Sequence, residues 1–445
     1  MENSNKSIKD IIIVGFALFA IFFGAGNLIF PPHIGVMAGK RWYEVMLGFI
    51  MSDPLIPVAG VIVTASVGGK ADDLGKRVSP TFSKILGAVS ILIIGPLFSV
   101  PRTAATTHEV AVRQILPNVP IQVTSIVTSV IFFAITLFLV LNPGKVIDKI
   151  GKYLTPGLLI VLIIIIVTSI IKPMGQMQDT PVKPFFMIGF TEGYQTMDAL
   201  GSALMSGIVI TDLVRRGYTD KKEQFSAMIG VGIVTFILLA FVYGGLTFVG
   251  ATAGEYFTEE TPRVELLVGI VDRMFGSTGK VCAGLVVSLA CLTTSVGLTA
   301  TCGNFFENIT GGQLKYKYIV IASVVVSFFI SLTKVDNIIQ YAVPVLMAIY
   351  PVVIALVVMT AFDKFIKYNM TYIGAVIGAF IVGLAESLST FVKSFESLKE
   401  IISKLPLANL GFGWLSIAAA FSIVFTIIAF ITGQDAGNKQ KVSNS

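Results

Sequence analysis

Charge is the scarcest property of this 445-residue chain: Asp, Glu, Lys and Arg together make up 13%, where a soluble domain carries about 25%. So few charges cannot cover water-facing surfaces, which excludes a string of soluble domains. Histidine is scarcer still, with two residues, too few for a His-rich metal site. The three cysteines, Cys282, Cys291 and Cys302, fall in one apolar run. They cannot pair within one helix, have no metal spacing, and read as buried free thiols. No GxxxxGK[ST], GxSxG or HExxH occurs, which argues against an ATP-driven pump and against a membrane hydrolase. The net charge of +6 gives no nucleic-acid surface, because the basic residues sit in short clusters between apolar runs, as membrane flanks do. The first apolar run outlasts a signal peptide and has no A-x-A site, so it is expected to be retained as a span.

Apolar sequence is what the chain has in excess: hydrophobic residues make up 54%, with 33 Phe and 42 Gly. The runs predict twelve transmembrane helices near 10–37, 43–67, 82–110, 121–141, 146–171, 184–212, 223–250, 279–303, 316–333, 335–360, 371–392 and 411–432. Most are long enough to cross about 30 Å of hydrocarbon. A β-barrel is excluded, since LLIVLIIIIVTSII (158–171) is apolar nearly all round instead of alternating. The bias of Lys and Arg between loops puts both termini in the cytoplasm. Segment 251–278 carries a helical apolar pattern at Val264, Leu267, Val268 and Val271 and reads as a surface helix in preference to a lid. Segment 68–81 reads as a cytoplasmic loop.

Two spans are interrupted. The first contains FFGAGNLIFPP (22–32). Gly24 and Gly26 weaken the helix there, and Asn27 is polar at mid-span depth. Unwinding frees carbonyls that suit a cation at the end of the first half-helix, and N–H groups that suit a carboxylate at the start of the second. A close crossing of helices through small residues would explain the same glycines. The sixth span reads FFMIGFTEGYQTMDALG (185–201), apolar at its ends and polar at its centre. Breaks in spans 1 and 6 occupy corresponding places in two five-helix halves, the pattern of an inverted-repeat transporter with a midplane site.

The eighth span adds Thr293, Thr294 and Ser295, whose adjacent hydroxyls suit a small hard cation such as Na⁺ or else simply bond the preceding turn. Charges at membrane depth are few. Asp53, beside a kink expected at Pro54, Arg102, His108, Glu109 and Glu386 read as ion pairs or snorkelling side chains more than as a relay. Asp198 suits a cap on the second half of span 6, and His33 an interfacial position. Glu192 suits either proton coupling or pairing with a cation.

FFGAGNLIFPP (22–32), GPLFSVPRTAATTHE (95–109), LNPGK (141–145), GYQTMDALG (193–201), ACLTTSVGL (290–298) and VPVLMAIYPV (343–352) resemble the BrnQ-type branched-chain amino acid carriers, the leucine/isoleucine/valine:cation symporters of bacteria. The resemblance implies an all-α polytopic fold of the LeuT type, with a first repeat (1–171), a second (184–360), two additional helices (371–432) and a cytoplasmic tail (433–445). It implies a bacterial cytoplasmic-membrane carrier, not an enzyme, that imports leucine, isoleucine or valine with Na⁺ or H⁺. No cofactor, nucleic acid or obligate protein partner is expected. Carried over by position, the substrate would lie against Phe22, Gly24, Ala25, Gly26, Asn27, Phe190, Thr191, Gly193 and Tyr194. A Na⁺ would lie among Ala20, Phe23, Cys291, Thr294 and Ser295. A carrier for another small neutral solute, or a channel, is the alternative.

Overall fold

A computed structural model describes residues 7–69, 73–141 and 145–433, without the side chains of 145–155 and 409. The expected tail from residue 434, the centre of the 68–81 loop and the middle of LNPGK lie outside the described residues. Helices alone, without strands, make up the regular structure of the described residues. The apolar helices make this a multi-pass membrane protein of the all-α class.

Eight described helices are long and apolar enough to cross a membrane, nine when the bent pair Phe185–Thr196 and Asp198–Arg215 counts as one. The twelve expected spans are therefore not all reproduced as separate long helices. The physical reason is local. The first span is split into Ile8–Phe22 and Ala25–Ala38, the helix Tyr316–Ser331 is short, and Ala25–Ser66 runs as one distorted element. The helix Ile121–Leu141 has the expected boundaries.

The first helix starts where its sequence provides a capping box: the Lys9 N–H donates to Ser7 Oγ (3.2 Å) and the Ser7 N–H to Asp10 Oδ2 (3.3 Å), satisfying two otherwise orphaned donors. It stops at Phe22 because Phe23 and Gly24 are extended. The second interruption falls within the polar centre of 185–201, after Gly193. The helix Phe185–Gly193 continues through Gly193 into a 3₁₀ turn, Tyr194–Thr196, and the chain turns at Met197, a left-handed residue with φ of 67°. The helix Asp198–Arg215 then leaves at a bend of 51°. Asp53 has extended φ/ψ inside the second span, next to Pro54, so the expected kink is there.

The chain forms two compact units, each discontinuous in sequence: Met1–Leu55, Ala88–Gly201 and Ile229–Ala342; and Ile56–Gly87, Ser202–Met228 and Val343–Ser445. The first is held by glycines at helix crossings. A Cβ on Gly48 would lie 1.8 Å from the Phe186 carbonyl oxygen, and one on Gly189 would lie 1.9 Å from that of Val45. Gly35 and Gly250 face the Thr247 and Pro32 carbonyls in the same reciprocal way, at 2.0 and 1.9 Å. Where lipid replaces water, helices associate through such close packing and not through the hydrophobic effect. In the second unit, Gly374 and Gly378 allow the same approach of Asn369–Phe391 to Gly413–Ile431.

Residues Arg263–Ile309 form one long helix kinked at Gly276, where φ is +66°. Its part before Gly276 is the helix expected within 251–278. Val264, Leu267, Val268 and Val271 are buried, so it is packed along its whole apolar stripe. Cys291 and Cys302 are buried, but Cys282 is exposed, which corrects the expectation for all three thiols. The run that carries Cys282 is apolar on every side, so the sequence alone could not tell its packed face from its outer one.

Candidate functional site

Both interruptions lie in the first unit, and one side chain joins them. Asn27 sits in the first turn of Ala25–Ala38 and is 1% exposed. Its Oδ1 accepts from the Gly24 N–H (3.1 Å) and its Nδ2 donates to Asp198 Oδ2 (2.9 Å) and to the Tyr243 hydroxyl. In an unbroken helix the Gly24 N–H would bond the Ala20 carbonyl four residues back. Here Asn27 takes that donor, so the chain opens at Phe23–Gly24 without orphaning it. At the other break the Thr196 hydroxyl receives the Asp198 N–H (3.5 Å) and donates to the Gly193 carbonyl (2.8 Å). The contact of the Asp198 carboxylate is with Asn27, 171 residues away. Asp198 is the first residue of the second half-helix, and its side chain ties together the two breaks.

The residues expected to meet the substrate divide into two sets. Phe22, Gly24, Ala25, Gly26 and Asn27 are all buried at the first break. A Cβ on Gly26 would come within 2.6 Å of Arg102 Nη2, so any side chain there would displace the guanidinium from the break. At the second break Phe190 and Tyr194 meet edge to face, with ring centroids 5.6 Å apart. Thr191 directs its hydroxyl back to the Met187 and Ile188 carbonyls (3.0 and 3.1 Å). Gly193 packs against Ser52, whose Oγ a Cβ would approach to 2.7 Å.

The residues expected to hold an ion also divide. Thr294 is brought to the first break: a Cβ on Gly24 would lie 3.7 Å from its hydroxyl. Ser295 is fully buried with its Oγ 3.3 Å from Thr136 Oγ1. Thr293 bonds back to the Ala290 carbonyl (2.8 Å), the ordinary behaviour of a hydroxyl in a membrane helix. Cys291 is buried on the same helix, and Ala20 and Phe23 end the first half-helix.

Glu192 lies outside this cluster. It pairs with Arg263 (3.2 Å), which also holds Asp336 (3.1 Å). His33, expected at membrane-interface depth, is buried within the protein, with Nε2 3.0 Å from the Glu259 carbonyl oxygen. Its surroundings come from the 251–278 segment folding over it, which the local sequence does not announce. His108 lies 2.9 Å from the Thr124 hydroxyl, and Glu109 accepts from the Val335 N–H (2.9 Å).

Three residues belong to the site that sequence reasoning did not place there. Tyr243 is fully buried and stacks on Phe23 at 6.3 Å. Arg102 is 4% exposed, donates to the Gln195 carbonyl (2.7 Å) and faces the Phe30 ring at 5.5 Å. Asp53 is fully buried beside Tyr243, Asp198 and Thr196. The signal for Asp53 was a carboxylate next to proline within an apolar run. The signal for Arg102 was a lone cation following two prolines.

The sequence model for the branched-chain amino acid transport protein family matches residues 7–432. The chain is 34% identical over 435 residues to the branched-chain amino acid permease BraB of Bacillus subtilis, covering 96% of this chain and 97% of that one. It is 33% identical to the branched-chain amino acid permease BrnQ of Salmonella typhimurium, covering 99% of each. Among solved structures it resembles Mhp1, a nucleobase-cation-symport-1 family transporter, in a closed conformation with bromovinylhydantoin bound (TM-score 0.56, 13% identity, 94% of this chain and 93% of that one). It also resembles MhsT in complex with L-phenylalanine (TM-score 0.52, 15% identity, 94% and 98%). These two likenesses carry the fold: a LeuT-type bundle with broken helices.

Proposed function

Because this chain belongs to the branched-chain amino acid transport protein family, we propose that it is a cation-coupled symporter that imports leucine, isoleucine and valine across the bacterial cytoplasmic membrane by alternating access, with both termini in the cytoplasm. The observation that carries this reading is the joining of two broken helices through Asn27 and Asp198. A channel needs a continuous pore and no such pair of buried half-helix ends, whereas a carrier needs opposed backbone ends at one place.

In this reading the substrate carboxylate meets the N–H groups at Gly26 and its neighbours, where the second half-helix begins and its dipole is positive. The ammonium group meets carbonyls near Phe22 and Phe190. The aliphatic side chain lies among aromatic groups such as Phe190 and Tyr194. A hydrophobic pocket distinguishes one methylene by about 1–3 kcal/mol, so three similar substrates share one site. Na⁺ rests among the carbonyls of Ala20, Phe23 and Cys291 and the hydroxyls of Thr294 and Ser295. The nearness of Thr294 to Gly24 supports this position more than the geometry of Ser295, which turns toward Thr136.

The test is uptake of labelled leucine by proteoliposomes under an imposed Na⁺ gradient and, separately, a pH gradient. Accumulation with Na⁺ alone, blocked by unlabelled isoleucine and valine, is the expected result. Accumulation with the pH gradient alone would transfer the coupling to protons. Uptake unaffected by isoleucine or valine would remove the substrate class.

A further inference from the structure

The charges buried around the two breaks do not balance. Asp53 and Asp198 are neighbours, and Asp53 is fully buried. The cation close to them is Arg102, which faces Asp198 and is itself 4% exposed. Two carboxylates and one guanidinium leave one negative charge without a counter-charge, where water is excluded and an uncompensated ion is costly.

Hydrogen bonding does not remove the deficit. Asp198 accepts from Asn27 (2.9 Å). Neither oxygen of Asp53 receives a hydrogen bond by donor–acceptor geometry, and the buried oxygens Ser52 Oγ and Gln195 Oε1 also lack partners. Asp53 reaches this position because its own φ/ψ leave the helix. A kink that turns a charged side chain inward, next to a second carboxylate and beside a hydroxyl from Tyr243 and another from Thr196, makes a set of oxygen ligands with one missing positive charge.

We infer that Asp53 and Asp198, with the hydroxyls of Tyr243 and Thr196, form a binding site for one small monovalent cation, separate from the position proposed at Thr294. Charge and donor type identify the ligand. An all-oxygen set suits a hard ion, and a deficit of one charge takes a monovalent one, Na⁺ or a proton. The charged and titratable groups facing the pair are the two carboxylates themselves, Tyr243 and Arg102. Since Asp198 also holds Asn27, occupation of this site would be felt at both breaks.

The experiment uses the purified full-length protein without any amino acid, so its outcome does not depend on the proposed substrate. Radioactive Na⁺ binding is measured at pH 8, and melting temperature is followed against Na⁺ (choline as the control ion) and against pH from 5 to 8. In the wild type, either added Na⁺ or added protons raise the melting temperature; the first result makes the ion Na⁺, the second a proton. Asp53→Asn neutralises the pair as the bound cation would. It therefore melts no lower than the unliganded wild type, and it loses the ion-dependent increment with an apparent affinity at least about tenfold weaker, about 1.4 kcal/mol. Asp198→Asn, which keeps an acceptor for Asn27, gives the same loss, and each variant is compared with its parent in a Thr294→Ala background, so that a Na⁺ at that hydroxyl does not enter the increment. The inference is overturned if Asp53→Asn melts lower and retains the full increment, as a purely structural carboxylate would. It is also overturned if neither ion has any effect until leucine is added, because the missing charge is then the substrate ammonium.

Discussion

Two clusters in the first unit contain the same charges and treat them differently. Around Arg263, one guanidinium bonds two carboxylates directly, Glu192 at 3.2 Å and Asp336 at 3.1 Å. These side chains are 18–35% exposed, so water screens the surplus negative charge. Around Arg102, the guanidinium donates to a backbone carbonyl, one carboxylate is tied by the neutral Asn27, and the other, Asp53, stands beside the Tyr243 and Thr196 hydroxyls without a hydrogen bond of good geometry. The first arrangement is an ion pair that contributes to packing and little more. The second leaves both oxygens of the fully buried Asp53 without a hydrogen bond of good geometry, and a cation bound there would supply the charge that the proposal calls for.

The comparison breaks most sharply at Asn27. Asn27→Ala removes the acceptor for Gly24 and the donor for Asp198 and Tyr243. It should abolish leucine uptake and lower stability by roughly 3 kcal/mol, read by transport assay and thermal melting. Retained uptake would mean that the two breaks are not linked through this side chain. Next in size is Gly189→Val, whose Cβ would lie 1.9 Å from the Val45 carbonyl oxygen. Forcing the helices apart should cost about 2 kcal/mol or more, and an unchanged melting temperature would show that this crossing is loose. Thr294→Ala should raise the Na⁺ concentration needed for half-maximal uptake about tenfold, with an unchanged requirement arguing against an ion at that hydroxyl. The smallest effect belongs to Arg263→Gln. A partly exposed pair contributes roughly 0–1 kcal/mol, so its melting temperature should fall slightly at low salt and match wild type at high salt. A loss comparable to that of Asn27→Ala would erase the distinction between the clusters.

Much of the fold was legible because membrane helices must satisfy their own backbone and show it as long apolar runs. The boundaries of Ile121–Leu141 and the break at Gly24 follow from composition alone. The second break was read from the polar centre of 185–201, and the helix passes through Gly193 there to turn at Met197. Gly193 serves the contact with Ser52. Nothing in a methionine signals a left-handed residue; its conformation is imposed by what surrounds it. The partners of Asp53 were hidden for a similar reason. A carboxylate beside a proline announces a kink, but which group it faces depends on how distant segments are brought together. Thr294 and Ser295 are adjacent in sequence, and only their different helix faces separate the one beside Gly24 from the one against Thr136.

The central claim, that the paired breaks serve coupled transport of branched-chain amino acids, is tested most directly by labelled leucine in proteoliposomes holding a Na⁺ gradient and no other driving force. The account predicts leucine accumulated above the external concentration, with isoleucine and valine each suppressing it and alanine and proline leaving it intact. Leucine that only equilibrates across the membrane, or accumulation indifferent to isoleucine and valine, would contradict it.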